Sequence, residues 1–251
     1  MKDAAAKFFE LIYFGRVFEP GKDLEQAEIE AVGMRAYRDL SRTMRYVKGT
    51  DEPAEWGKSM RWHFAARISH DELAAGVHAL FAVQSQEEFD REHRTCCENI
   101  LNLANSTEQE PLLQEKMTYG QAQKWVNMTM KYLYILGYVP EKVVPFLHVP
   151  VDDFMLEAVW SANHGEDRDK DRLRNGMKNP DKLPFADSKS KSYGSAKILK
   201  WSKWDAKKYE EYQAGIRNAL EGSDISPIVW EGDAWMLISN KRKALKPEED
   251  F

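Results

Sequence analysis

Residues 118–137 read TYGQAQKWVNMTMKYLYILG, a mostly apolar run with helical period, and any fold of this chain must find room for it. The run also carries Lys124, Asn127 and Lys131 at offsets of three and four, so all three fall near one helix face. A solvated stripe on an amphipathic helix has that pattern, and so does a helix lining a polar site. Fifteen residues after Lys131 comes FLHVPVDDFML, in which Asp152 and Asp153 stand just after a proline. The two stretches together form the candidate site, residues 118–160.

The rest of the chain also reads as helix. Residues 3–18 form an apolar helical run that stops at Pro20-Gly21. Residues 23–47 follow, with Asp23 as cap and Leu24, Ile29, Val32, Ala36 and Leu40 along one side. After the break GTDEPAEWG, Ser69 and Ser85 each precede a glutamate by three residues, the pattern of a capping box. A further helix is expected from near Val151 to about Trp160, with Asp152 at or just before its start. Residues 161–200 are polar and show no clear period. Asp205 is placed to cap a helix that runs to a glycine, and ISPIVWEGDAWMLIS reads either as short strands or as a packed terminal turn. No internal repeat occurs. The predicted fold class is mainly α, a multi-helix globular chain with an N-terminal region, 1–115, and a second region, 116–251, or one continuous domain.

Composition narrows the function. A hydrophobic fraction of 43% with 12% aromatics, in 251 residues, is enough for a real core. No apolar run is long enough to span a bilayer, and the N-terminus lacks a signal-peptide layout, so a cytoplasmic chain with no membrane partner is expected. The two cysteines, Cys96 and Cys97, are adjacent, which excludes a four-cysteine zinc or iron–sulfur site. His70 and His78 lie two helical turns apart with no third ligand in an evident position, and no phosphate-loop or dinucleotide motif occurs. The expectation is no metal and no cofactor.

Charge is uneven along the chain. The net charge is −5, yet residues 168–208 hold 13 Lys and Arg against 5 Asp, a local +8 that leaves −13 for the remainder. Tyr193, Trp201, Trp204, Tyr209 and Tyr212 are interleaved with or just beyond these bases, giving a basic-aromatic segment over residues 168–212. Lys197, Lys200 and Lys203 could neutralise phosphates while Trp201 and Trp204 stack bases. A solvated, lysine-rich loop is the alternative.

The spacing G-x-x-x-K-x-x-N from Gly120 to Asn127, a continuing apolar helix and then P-V-D at residues 150–152 resembles the catalytic segment of the helix-hairpin-helix DNA glycosylases, of the endonuclease III and 8-oxoguanine glycosylase types. Ala122 stands where that hairpin usually has a second glycine, and the stretch from Lys124 to Asp152 is longer than is usual. The resemblance implies an α-helical enzyme that flips a damaged base out of duplex DNA. It implies Lys124 as the nucleophile, Asp152 as its electrostatic partner, and Gly120 in a tight turn whose amides face a phosphate. Lys131 and Asp153 compete for the two catalytic roles, and Gln123 and Asn127 join the nucleic-acid contacts. Two other readings stay open: a non-catalytic helical protein that binds nucleic acid or nucleotide, and a protein–protein module using the aromatic ends FFELIYF and SPIVWEGDAW.

Overall fold

The computed structural model describes residues 2–19, 21–53, 58–106, 112–185 and 200–244. It is mainly helical, and among these residues there is no β-strand, only isolated bridges pairing Tyr46 with Leu113 and Pro53 with Ser59. The chain divides into two compact units, residues 1–146 and 147–251. The expected division at 115/116 falls between two helices of the first unit that pack on one another.

In the first unit, α1 (Lys2–Phe14) is shorter than the sequence period suggested, because Gly15 adopts a φ of 80° and its amide closes on the Leu11 carbonyl at 2.9 Å. Helix α2 (Gln26–Ser41) starts later than expected, with Glu25 rather than Asp23 as cap and Glu28 completing the capping box. Its buried stripe includes Ile29, Val32, Ala36 and Leu40, as the period indicated. Helices α3 (Met60–Ile68) and α4 (Ala74–Ala82) are joined without a break by a π-helical turn, Ser69–Leu73. Ser69 therefore caps nothing. The helix begins at Ser59, whose hydroxyl accepts from the Trp62 amide, and Ser69 is buried within it. The π-turn lies against α2 at Gly33, where an added Cβ would come within 2.6 Å of Leu73 Cδ2 and 2.9 Å of Ser69 Oγ. Only glycine allows that approach.

Helix α5 (Gln86–Ala104) is capped by Ser85 as expected, and Glu88 turns back to accept from the Gln84 amide at 2.7 Å. Helix α6 (Tyr119–Ile135) carries the opening stretch of the sequence analysis. Thr118 and Gln121 form its capping box, and Gly137, at φ 78°, ends it with the Tyr138 amide bonded back to the Leu133 carbonyl. It packs against α2 and α5.

In the second unit, Asp152 caps α7 (Asp153–His164) through its side chain, with Oδ1 accepting from the Met155 amide at 2.9 Å. The polar stretch expected to lack period contains α8 (Asp167–Arg174), DRDKDRLR, of which only Leu173 is buried. One anchor comes from outside that stretch, Lys241 reaching Asp169 at 2.6 Å, and the other from within it, Arg174 Nε donating to the Ala162 carbonyl. Asp205 caps α9 (Ala206–Leu220) as expected, its Oδ1 accepting from the Lys208 amide. The terminal stretch read as strands or turn is instead α10 (Pro227–Ala244). Proline suits its first position, and Trp230, Ala234 and Ile238 recur every four residues on its buried side. Helix α7 packs on α8 and α10. Trp230 Nε1 donates to the Leu173 carbonyl at 2.8 Å, and Phe154 stacks on Trp235.

Candidate functional site

Helix α6 is buried on every face from Tyr119 to Met130, so the solvated-stripe reading of its polar residues fails. Lys124 is only 4% exposed, and Gln123 and Asn127 are more buried still. Lys131, one turn further on, is half-buried. Buried amides in a helix interior must find partners, since each unpaired polar group costs about 1–3 kcal/mol. Here they find one another. Asn127 Nδ2 donates to Gln123 Oε1 at 2.9 Å, and Gln123 Nε2 donates to the Gly120 carbonyl at 2.8 Å. Asn127 Oδ1 in turn accepts from His93 Nε2 of α5 at 2.9 Å.

That last bond sets the imidazole tautomer. With the proton on Nε2, His93 Nδ1 faces Cys97 Sγ at 3.8 Å. Cysteine, histidine and asparagine thus stand in the order nucleophile, base and orienter. Burial decides against that chemistry. Cys97 is fully buried, and desolvation, helped by its neighbour Cys96, holds the thiol well above its ordinary range. Cys96 is pushed up to about 12 by the same cause. Both remain thiols, and the set is a packing device.

Gly120 is the second residue of α6, not part of a tight turn, and its conformation is ordinary helix. Lys124 is the sixth residue, past the first turn where a helix dipole acts most strongly. Sequence reasoning missed His93. The signal was its place on the apolar stripe of α5 with Phe89, Cys97 and Ile100, where a polar side chain calls for a partner.

The second unit holds its own polar interior around the segment before α7. Gln213 of α9 grips the Val149 backbone from both sides, accepting from its amide at 3.0 Å and donating to its carbonyl at 2.7 Å. His148 Nδ1 lies 2.7 Å from the Tyr209 hydroxyl, and Arg217 Nη1 donates to His148 Nε2 at 3.2 Å. These bonds fix the chain leading into Asp152. Tyr212 is buried nearby and hydrogen-bonds the Met155 carbonyl, and its hydroxyl is held well above its ordinary range by burial and by the charges of Asp152 and Glu231. Glu231, on α10, is almost fully buried and was not singled out from the sequence. Asp152 is half-buried, and Asp153, the first residue of α7, is exposed.

The basic-aromatic segment changes most. Trp201 and Trp204 are core residues, Trp204 at 1% exposure beside Tyr212 and Phe185, so neither is a stacking platform for a base. Tyr209 and Tyr212 are buried with them. Lys200 and Lys203 remain exposed, while Lys197 and Tyr193 lie outside the described residues.

The structure thus brings Gly120, Gln123, Lys124 and Asn127 together on α6 in the first unit, and places Asp152 and Asp153 at the start of α7 in the second. No group of three or more His, Cys, Asp or Glu side chains fit to hold a metal occurs among the described residues. No helix of the described residues is long and apolar enough to cross a membrane. No family model matches the chain, no curated protein matches it, and no solved structure matches its fold.

Proposed function

We propose that this chain binds nucleic acid through its basic stretch, residues 168–208, whose 13 Lys and Arg against 5 Asp leave a local +8 in a chain of net charge −5. The observation that carries the reading is the exposure of Lys200 and Lys203 within that stretch, where amines meet phosphate oxygens.

The test is titration of the full chain with labelled single- and double-stranded DNA, RNA and nucleotides at low and high salt. Salt-dependent binding is expected, and Lys200→Gln together with Lys203→Gln should weaken it about tenfold, while a folded Lys124→Gln variant binds unchanged. Absence of binding to every probe, or affinity unchanged in the folded double variant, overturns the reading.

A second, catalytic reading, a DNA glycosylase with lyase activity, is supported by the spacing from Gly120 to Asn127 with Lys124 within it. In it, the amine of Lys124 attacks C1′ and the glycosidic bond breaks, the base leaving with the bonding pair and taking up a proton. The sugar ring then opens, O4′ taking up a proton as the nitrogen lone pair forms the C1′=N imine, which borohydride reduces. Lys131 is the substitute for Lys124 in this role. Trapping on duplexes carrying 8-oxoguanine, uracil or an abasic site should give a covalent adduct that Lys124→Gln abolishes. Binding without any adduct would leave the non-catalytic reading alone.

A further inference from the structure

Helix α1 is apolar where it meets water. Phe8, Phe9, Leu11 and Ile12 are 65%, 62%, 51% and 67% exposed. Ala4, Ala5, Ala6 and Lys7, in the turn before them, are exposed as well. The helix is tied down from Glu10 onward, where the carboxylate accepts from the Phe18 amide at 2.9 Å. The Tyr13 hydroxyl meets that of Tyr132 at 3.1 Å, Arg35 of α2 lies over the Tyr13 ring, and the Phe14 ring packs edge-on against Phe18 and Tyr132. A helix fixed at one end thus presents a row of bulky apolar side chains to water.

We infer that this row is the contact surface for a second copy of the chain, the two α1 helices lying antiparallel about a two-fold axis near Phe8 and Phe9. Two features of the helix argue for that occupant. Small residues fill its first half and large ones its second, so an antiparallel copy sets Ala4 and Ala5 against Leu11 and Ile12 of the other chain, bulk against space, twice over. A two-fold contact requires such self-complementarity of one patch. The four large side chains expose about 500 Å² together, so two copies remove about 1,000 Å² of apolar surface, which reaches the size at which specific contacts begin. An apolar patch of a few hundred Å² left in water is itself unusual for a monomer.

Sedimentation and light scattering of the full chain over a range of concentrations should show a mass rising toward twice 29.1 kDa, with dissociation in the micromolar range. Phe8→Glu and Ile12→Glu should each return it to one chain, with helix content unchanged because both side chains are exposed. A cysteine introduced by Phe8→Cys should form an intermolecular disulfide under mild oxidation, since residues near a two-fold axis lie within disulfide range. The same change at exposed Lys48 should not, and Cys96 and Cys97 are too buried to interfere. A chain that stays at one mass at every concentration overturns the inference. So does a dimer that survives both glutamate variants, and so does equal cross-linking from positions 8 and 48.

Discussion

Helices α1 and α6 invert the usual rule in opposite directions. In α1, Phe8, Phe9, Leu11 and Ile12 face water, while in α6, Gln123, Lys124 and Asn127 are buried. The contrast does not follow from composition, since both helices mix apolar and charged residues. It follows from neighbours. Helix α6 packs against α2 and α5 and is buried on every face from Tyr119 to Met130, so the polar groups there had to be matched one by one, and His93 supplies a cross-helix partner. Helix α1 is held from Glu10 onward and leaves Phe8, Phe9, Leu11 and Ile12 exposed. An exposed apolar row and a buried polar set are each costly.

The largest effect should come from the core side of the contrast. Trp125 of α6 is fully buried, its ring beside Tyr37 and its Nε1 donating to the Gly33 carbonyl at 2.8 Å. Trp125→Ala should lower unfolding stability by about 3–5 kcal/mol in denaturant titration, and a change below about 1 kcal/mol would mean that α6 is not the core helix described. Asn127→Ala removes one member of a closed chain and strands His93 and Gln123. A loss of about 2–3 kcal/mol is expected, with Asn127→Leu no better, because volume cannot replace the hydrogen bonds. If Asn127→Leu were neutral, the network would have no structural hold and only a ligand could account for it. The smallest effect belongs to α1. Ile12→Ala should change the stability of the dilute chain by less than about 0.5 kcal/mol, since a side chain exposed at 67% has little packing to lose. A larger loss, at concentrations where the chain is monomeric, would show that α1 is covered by its own chain and would break the comparison.

Much of the fold was legible beforehand. Helix period located α2, α5, α6 and α9, and the caps at Ser85, Asp152 and Asp205 are local devices formed by residues close in sequence. Three elements escaped for one shared reason. The π-turn at Ser69–Leu73, the charged α8 and the terminal α10 depend on partners far along the chain: Gly33 for the first, Lys241 for the second, Leu173 for the third. A capping box at Ser69 was a fair local reading, but the helix already in progress from Ser59 overrode it.

The candidate residues divide the same way. Sequence alone determined that Lys124, Asn127 and Lys131 share a helix and that Asp152 begins another, because spacing of three and four on a 3.6-residue period leaves no other arrangement. It also determined the adjacency of the two cysteines and the local excess of basic charge. Tertiary structure decided which of these groups meet water. It buried Lys124, linked Asn127 to His93, moved Trp201 and Trp204 into the core and left Phe8 and Ile12 outside. Periodicity says which residues share a face, and a helix can turn that face inward or outward. Only the neighbours packed against it, drawn from distant parts of the chain, settle the choice.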